Sequence, residues 1–308
     1  MDLRLQDKTA LITGGSAGIG KGIALGLAQE GCHMAICARR PALLEATAAE
    51  IREATGRQIL AIPADLSQPA DAEHFVHTAV RALGRIDILV NNAGAAPGGT
   101  LDFLTEEHWA AALQLKFMGY VRCTRHALPY MIQQGGGRVV NLIGNDGVKP
   151  SYWEIAPGAA NAAGQNLTLA LAAQYGRYNI SFCAVNPGPV RTERWTGLVQ
   201  AMARDMQLAV EDADQLAPRS IPLGRIAEVD EVTDLVVYLC SPRAHFVNGT
   251  MIEIDRWPAQ GADGSWPGSR LRLEAPGGCP TAYAGARQGL LRGPIPRRAW
   301  GARPPAGP

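Results

Sequence analysis

A glycine-rich segment near the N-terminus has the spacing of a phosphate-binding turn. Residues 13–20 read TGGSAGIG and lie between an apolar stretch, residues 8–13, and a stretch with helical character, residues 18–30. Glycine allows a tight turn and lets the backbone approach a ligand closely. The first N–H groups of the following helix lack partners within the helix, and the helix dipole favours an anion there. The segment is therefore predicted to bind the pyrophosphate of a dinucleotide. The predicted contacts are Gly14, Ser16, Gly18, Ile19 and Gly20.

Two arginines, Arg39 and Arg40, follow the next apolar stretch, residues 33–38. An acidic residue at this position would hydrogen-bond a ribose 2′-hydroxyl, whereas an arginine accommodates a 2′-phosphate. No acid is present here, and a planar guanidinium binds phosphate through two parallel hydrogen bonds. The pair therefore favours NADP(H), although an arginine pair that simply faces water is the alternative.

A third group of residues could carry protons. Residues 145–154 contain two carboxylates, a lysine and a tyrosine, and they follow an apolar stretch at residues 138–143. The phenol of Tyr152 is neutral at pH 7, with a free pKa of about 10, and could donate a proton to a carbonyl oxygen. Lys116 is the second candidate, because desolvation lowers the pKa of an ammonium group. The structural alternatives are a pocket wall for Tyr152, a solvated helix face for Lys116 and an Asn-Asp-Gly turn for Asp146.

Apolar strands and helices alternate along the chain, and their order determines where these groups would lie. Strands are predicted at residues 8–13, 33–38, 58–63, 86–91, 138–143, 180–185 and 250–254. Helices are predicted at residues 18–30, 41–55, 69–83, 105–133, 158–175 and 228–240. Apolar strands separated by helices are typical of a parallel sheet covered on both faces. The fold class is therefore predicted to be α/β, a Rossmann-like doubly wound parallel sheet with ligands at the carboxyl ends of its strands.

Composition and charge exclude several classes of protein. Of the 308 residues, 47% are hydrophobic and 19% are charged, which excludes wholesale disorder. A net charge of +1 gives no sign of binding to nucleic acid or an anionic membrane, and no apolar run is long enough to span a bilayer. The N-terminus lacks the apolar region of a secretory signal, and the six cysteines include no C-x-x-C pair. We therefore expect a cytoplasmic protein with reduced cysteines, no bound metal, and no membrane or nucleic-acid partner.

The C-terminal part of the chain differs in composition from the rest. Residues 257–308 contain 10 Gly and 9 Pro, and they show neither helical nor strand periodicity. The chain is therefore predicted to consist of one dinucleotide-binding domain, residues 1–256, followed by a disordered tail, residues 257–308. An arginine-rich arm that contacts an acidic partner is the alternative for the tail.

Three further motifs accompany the glycine turn. They are Asp65-Leu66, the sequence NNAG at residues 91–94, and the sequence NPGPVRT at residues 186–192. With these motifs in this order, the chain resembles the short-chain dehydrogenase/reductase family over about residues 5–255. The resemblance implies a small-molecule carbonyl substrate and a homotetramer or homodimer. It also implies cofactor contacts at the adenine, beside the fourth strand and at the nicotinamide amide, made by Asp65, Leu66, Asn92, Gly94, Pro187, Gly188, Val190 and Thr192.

The positions that are catalytic in this family carry other residues here. The family has a Ser after the fifth strand, a Tyr-x-x-x-Lys motif in the next helix, and an Asn in the preceding long helix. Matching the motifs places Gly144 at the Ser position and Lys116 at the Asn position. Pro157 and Asn161 fall at the Tyr and Lys positions, and none of the chain's four lysines follows a tyrosine by four residues. Asn161 could still hydrogen-bond a ribose hydroxyl of the cofactor.

Three functions are compatible with this combination of residues. The first is an NADP(H)-dependent reductase of a ketone whose atypical proton donor is Tyr152 or, second, Lys116. Loss of a general acid costs roughly 10²–10⁴-fold in rate, and positioning of the reactants alone still accelerates a reaction strongly. The second is a lyase or isomerase with Asp146 or Glu154 as its base, and the third is a cofactor-binding sensor or scaffold without catalysis. The family resemblance implies that residues 194–222 cover the site. Their methionines and apolar side chains favour an apolar ketone, such as a 3-oxoacyl compound, unless these residues pack on the body of the protein.

Overall fold

The computed structural model describes residues 1–95, 97–150, 154–219, 221 and 223–255. Each predicted strand is present, with its ends shifted by at most two residues. The strands are β1 (Thr9–Thr13), β2 (His33–Ala38), β3 (Ile59–Pro63), β4 (Ile88–Asn91), β5 (Gly137–Leu142), β6 (Ile180–Pro187) and β7 (Thr250–Ile254). The helices are α1 (Gly18–Gln29), α2 (Pro41–Thr55), α3 (Pro69–Leu83), α4 (Glu106–Leu113), α5 (Gly119–Gln133), α6 (Ile155–Tyr175), α7 (Glu193–Met206), α8 (Val210–Arg219) and α9 (Val229–Cys240).

The strands form one parallel sheet in the order β3-β2-β1-β4-β5-β6-β7. The chain therefore builds one half of the sheet outward from β1 and then returns to build the other half outward from β4. This confirms the predicted Rossmann-like, doubly wound sheet. The reversal of direction leaves a crevice at the carboxyl ends of β1 and β4, which is where sheets of this kind bind ligands.

Apolar side chains hold helices against both faces of the sheet. Consecutive residues of β1 point to opposite faces, so Leu11 and Ile12 belong to two different apolar layers. One layer includes fully buried side chains of α1 and α9, among them Ile23 and Val236. The other includes Phe75 of α3 and residues of α5. Burial of this apolar surface contributes about 25 cal/mol per Å² and stabilises the packing of the helices on the sheet. The sheet in turn holds the carboxyl ends of its strands in fixed positions.

The long helix predicted at residues 105–133 is divided in the structure, which corrects that prediction. Between α4 and α5 lies a π-helical turn, Gln114–Met118. The N–H of Gly119 bonds to the C=O of Gln114, five residues back, so the turn holds one residue more than an α-helical turn. Lys116 lies in this turn and is buried, with 9% of its surface exposed. The solvated helix face that was the alternative for Lys116 is therefore wrong.

Residues 194–222 fold into α7 and α8, apart from the positions that the structure does not describe. Part of their apolar content packs within the segment, where Trp195, Val199 and Ala213 belong to a small cluster of buried residues. The indole Nε1 of Trp195 also donates a hydrogen bond to Oδ1 of Asp214 at 2.6 Å. Trp195 is therefore buried mainly within this segment, while Leu208 is 39% exposed.

The expected state of the cysteines is confirmed where the structure describes them. Cys32, Cys37, Cys123, Cys183 and Cys240 are free and buried. Among the described helices, none has the length and apolar character that a membrane crossing requires. The domain boundary after residue 256 and the tail at residues 257–308 lie outside the described residues and stay predictions.

Candidate active site

The glycine turn between β1 and α1 fits an anion. Gly14 and Gly18 have φ values of +69° and +53°, which favour glycine. A Cβ atom on Gly20 would lie 2.1 Å from the carbonyl oxygen of Gly14, so the turn closes only with glycine there. Ala17, the residue before α1, gives the helix no side-chain cap. The first N–H groups of α1, including that of the half-buried Ile19, are therefore left for a ligand such as a pyrophosphate.

Asn92 fixes this turn from the end of β4. Its Nδ2 atom donates hydrogen bonds to the carbonyl oxygens of Thr13 at 3.0 Å and Gly14 at 3.2 Å. The N–H groups of Asn92 and Ala93 donate to Oγ1 of Thr13 at 2.8 and 2.9 Å. The segment after β4 thus holds the end of β1 in place. This gives Asn92 a structural contact with the glycine turn, in addition to its predicted place beside the cofactor.

Arg39 and Arg40 directly follow the last residue of β2. The N–H of Gly15 donates to the carbonyl oxygen of Cys37 at 3.1 Å, which brings the glycine turn beside the end of β2. Both arginine side chains are exposed. Neither guanidinium has an ion-pair or hydrogen-bond partner among the residues that the structure describes. Nearby Ser16 is 8% exposed, and its carbonyl oxygen accepts a hydrogen bond from Oγ1 of Thr47 at 3.0 Å.

Asp65 and Leu66 follow β3 at the same edge of the sheet. Oδ1 of Asp65 accepts a hydrogen bond from the N–H of Ser67 at 3.0 Å, and its own N–H donates to Oδ2 of Asp71 at 2.8 Å. Leu66 is 2% exposed. The carboxylate of Asp65 therefore shapes a turn, and a contact between this segment and an adenine stays a prediction.

The segment after β6 returns to the glycine turn. The N–H of Gly188 donates to the carbonyl oxygen of the last residue of β7 at 3.0 Å, directly after Pro187 ends β6. Val190 is buried, and Thr192 precedes α7. A Cβ atom on Gly18 would lie 3.3 Å from Cγ2 of Thr192. The two segments with which the family resemblance associates the cofactor are therefore neighbours in the structure.

Lys116 lies between the segments that follow β4 and β5. Its Nζ atom donates a hydrogen bond to the carbonyl oxygen of Ile143 at 3.2 Å. Its aliphatic stem covers Gly94, where a Cβ atom would approach Cγ of the lysine to 2.9 Å. The π-helical turn thus places an ammonium group at the carboxyl edge of the sheet.

Burial governs the acidity of this ammonium group. It lowers the pKa of Lys116 from 10.5 to about 8, against the opposing influence of Asp146 and Glu154 and with a further lowering by Arg194. Arg194 lies near enough that its Nη1 atom donates to the carbonyl oxygen of Gly94 at 3.4 Å. Lys116 is therefore mostly protonated at neutral pH but is a far stronger acid than a free lysine.

Gly144, Asp146 and Asn161 form a tight group beside Lys116. Nδ2 of Asn161 donates a hydrogen bond to Oδ1 of Asp146, and both side chains are at least nine-tenths buried. Gly144 has a φ of +141°, and a Cβ atom there would lie 2.6 Å from Nδ2 of Asn161 and 2.7 Å from Oδ1 of Asp146. The carboxylate and the amide therefore occupy space that any side chain at position 144 would need. Asp146 also lies in the short 3₁₀ turn of residues 145–147, so its turn role holds as well.

Glu154 and Pro157 begin the next helix. Burial and, second, the charge of Asp146 raise the pKa of the Glu154 carboxyl, while Arg194 and Lys116 act in the opposite direction. Pro157 is buried in the first turn of α6 and offers no ionisable group. The site consequently holds a carboxyl and an ammonium whose pKa values are moved towards each other.

Asp255 is a residue of this region that sequence reasoning missed. Its Oδ2 atom accepts hydrogen bonds from Nζ of Lys149 at 2.5 Å and from Nδ2 of Asn145 at 3.2 Å. Its side chain is 3% exposed. These contacts tie the loop after β5 to the end of β7 across more than a hundred residues of sequence, a distance over which the local sequence gives no signal. Tyr152, the first predicted proton donor, lies outside the described residues, so its role stays a prediction.

The sequence also matches a known family. Residues 8–203 match the family model described as short chain dehydrogenase. The chain belongs to the short-chain dehydrogenase family. This confirms the resemblance inferred from the motifs, and it makes the chain an oxidoreductase. Within the family, the uncharacterized oxidoreductase YvrD of Bacillus subtilis is 32% identical over 260 residues, which cover 83% of this chain and 97% of that protein.

Solved structures of this family have the same fold. L-sorbose reductase from Gluconobacter frateurii, in complex with NADPH and L-sorbose, is 31% identical, with a TM-score of 0.80 and coverage of 83% of this chain and 98% of that one. Actinorhodin polyketide ketoreductase with NADPH is 29% identical, with a TM-score of 0.78 and coverage of 81% and 96%. The similarity extends over nearly the whole length of both relatives.

Proposed function

We propose that this short-chain dehydrogenase reduces a ketone with NADPH and that Lys116 donates the proton. The observation that carries the proposal is the buried ammonium of Lys116 at the carboxyl edge of the sheet, bonded to the residue before Gly144. The bound reduced nicotinamide supplies the hydride, so the protein must supply a proton to the carbonyl oxygen of the substrate.

The choice of NADPH rests on charge at the end of β2. Arg39 and Arg40 are exposed and have no partner among the described residues, so a 2′-phosphate would replace water without breaking an ion pair. The glycine turn fits the pyrophosphate that both nicotinamide cofactors share. Both solved relatives named above are complexes with NADPH, which supports the same preference here.

The assignment of the proton donor rests on an exchange of two residues. Where the family has an Asn before the fifth strand and a Lys in the following helix, this chain has Lys116 and Asn161. The site thus keeps one ammonium and one amide, but the ammonium comes from the π-helical turn before α5. One of its three N–H donors is used by Ile143, which leaves donors for a carbonyl oxygen.

The acidity of Lys116 suits this task. General acids work best with a pKa near the working pH, and the pKa of Lys116 is about 8. Asp146 stabilises the charged form and is itself held by Asn161. Asn161 would also hydrogen-bond a ribose hydroxyl of the cofactor, as the family's lysine does, although without its charge. Tyr152 is the competing donor.

We propose that the substrate is apolar. The chain has apolar surface in residues 194–222, of which Leu208 is exposed, and this supports an apolar ketone such as a 3-oxoacyl compound. Arg194 adds a positive charge beside Lys116. We also propose a homodimer or homotetramer, as the family resemblance implies.

The test is NADPH oxidation with a panel of apolar and sugar ketones. Lys116→Met should lower kcat by at least about 100-fold, within the range for removal of a general acid, and leave the affinity for NADPH within about twofold. Lys21→Met is the matched control, because Lys21 is paired with Glu50 on the outer side of α1 and α2 and should leave kcat unchanged. Absence of NADPH oxidation with every ketone would favour a cofactor-binding protein without catalysis. Substrate turnover without NADPH oxidation would favour a lyase or isomerase with Asp146 or Glu154 as its base.

A further inference from the structure

Two histidines and a glutamate lie together on the outer surface of α3 and α5. Glu73 and His77 are one helical turn apart on α3 and so share a face, and His126 approaches them from α5. One ligand atom from each side chain lies within 4.8 Å of the others. The rings of His77 and His126 are 5.4 Å apart and nearly perpendicular. Two neighbouring helices thus bring three donor groups close together.

These donor groups are not used by the protein elsewhere. Within the described part of the chain, neither imidazole nor the Glu73 carboxylate has a hydrogen-bond or ion-pair partner. Both imidazoles are half-buried, and Glu73 is exposed. The group borders a cleft of about 370 Å³, which is also lined by Tyr130. The groups are therefore accessible from solvent, and the His77 ring contacts the rings of His126 and Tyr130.

We propose that Glu73, His77 and His126 bind a Zn²⁺ ion that joins α3 to α5. Two imidazoles and one carboxylate are a donor set found in zinc sites, where water takes the fourth position. Zn–N and Zn–O bonds are about 2.0–2.2 Å. The three donor atoms, which lie within 4.8 Å of one another, would therefore have to move closer together to share one ion. The described residues give these side chains ring contacts but no hydrogen bond or ion pair, so rotation about their own bonds allows this closure once the His77 ring shifts against Tyr130.

The charges around the group allow Zn²⁺ to bind but weaken its binding. Burial lowers the pKa of His126, which favours the neutral imidazole that binds metal, although the charge of Glu73 acts against this. Arg125 lies near His126, and Arg81 lines the cleft. These two positive charges oppose a cation, so we expect a site that exchanges its ion rather than one that retains it through purification.

The proposed site is distinct from the nicotinamide site. It includes none of the residues assigned above to the cofactor or to proton transfer. The cysteine pattern, which argued against a structural zinc, gave no information about this site, because its ligands are two histidines and a glutamate. The i, i+4 spacing of Glu73 and His77 was the only part visible in the sequence.

The test is calorimetric titration of the untagged full-length chain, freed of metal by a chelator, with Zn²⁺. We expect one ion per chain and a rise in the thermal unfolding temperature with Zn²⁺, since an ion that binds only the folded state stabilises it by mass action. Mg²⁺ should produce neither effect, because it prefers oxygen ligands. Co²⁺ in place of Zn²⁺ should give visible absorption bands of a low-coordinate nitrogen and oxygen site.

Matched variants make the assignment specific. His77→Ala, His126→Ala and Glu73→Gln should each weaken Zn²⁺ binding at least tenfold and remove the rise in unfolding temperature. His74→Ala removes a neighbouring histidine that lines the same cleft but lies outside the ligand group, and it should change the affinity less than twofold. Circular dichroism would verify that each variant is folded. The proposal is overturned if the wild-type chain does not bind Zn²⁺, or if His74→Ala weakens binding as much as His126→Ala.

Discussion

The ammonium of Lys116 donates a hydrogen bond to the carbonyl oxygen of Ile143 at 3.2 Å. Ile143 immediately precedes Gly144, the position at which the family resemblance expects a serine. The lysine therefore lies against the backbone of the strand end where the family's own acid–base residues converge. Because the positions of the ammonium and the amide are exchanged, one change of residue without the other would leave the site with two ammonium groups or with none.

The first prediction concerns the stability cost of this buried charge. The pKa of Lys116 is lowered from 10.5 to about 8 in the folded protein, so the unfolded chain binds more protons between these values. The cost is fully present below pH 8 and disappears as the pH rises to 10.5. Lys116→Met should therefore raise the free energy of unfolding at pH 7 by about 2 kcal/mol. This is roughly 3 kcal/mol from the pKa shift less about 1 kcal/mol for the lost hydrogen bond.

Urea unfolding at several pH values measures this effect. The difference between the variant and the wild-type chain should shrink as the pH rises through 8 to 10.5. A variant that is less stable than wild type at pH 7 would show that the lysine is not desolvated as the structure has it. Lys21→Met provides the comparison, because Lys21 is only half-buried and is paired with Glu50.

The second prediction concerns Gly144. Gly144→Ala should destabilise the protein by about 1–3 kcal/mol from its backbone conformation, and further from contact with Asn161 and Asp146. Gly56→Ala is the matched control, because Gly56 also has a positive φ, +67°, but a Cβ atom there would meet nothing within 4 Å. Thermal unfolding should rank Gly144→Ala clearly below Gly56→Ala. Equal losses would mean that the space at position 144 is not limiting.

The third prediction concerns the cofactor. Arg39→Ala should weaken NADPH binding at least tenfold and leave NADH binding nearly unchanged, because only NADPH carries the 2′-phosphate. Fluorescence titration of both cofactors against the wild-type chain and the variant measures this. Equal affinities of the wild-type chain for the two cofactors would contradict the preference for NADPH.

The fourth prediction concerns the C-terminal residues. Truncation after Asp255 keeps the carboxylate that accepts hydrogen bonds from Lys149 and Asn145. On the composition of residues 257–308, we expect no change in the thermal unfolding temperature or in cofactor affinity. A large drop in unfolding temperature would show that these residues contribute to the folded domain.

The sequence predicts the sheet and the glycine turn well, because both depend on local patterns. Strand β2 and helices α2 and α3 have the predicted ends, set by apolar runs and by Pro41, Pro69 and glycines. Lys116 and Asn161 are also singled out by matching the family motifs, and Asp146 by its place in the loop after β5. Their mutual arrangement could not be predicted in the same way, because it depends on contacts between distant segments.

The π-helical turn is the clearest case of what the sequence does not reveal. Apolar periodicity continues through residues 105–133, and a single extra residue in one turn leaves no mark on residue types. Yet this turn contains the buried Lys116. The contact of Asp255 with Lys149 is similar, since it depends on the position of β7 beside β6 rather than on either residue's neighbours.

The most direct test of the central claim compares two variants across pH in NADPH-dependent ketone reduction. If Lys116 is the proton donor, kcat of the wild-type chain falls as the pH rises through about 8, because the deprotonated amine has no proton to give. Lys116→Met then loses at least about 100-fold in kcat together with this pH dependence, while Tyr152→Phe changes kcat less than about threefold. A loss of tenfold or more in Tyr152→Phe, with kcat unchanged in Lys116→Met, would contradict the account and assign the proton to the phenol.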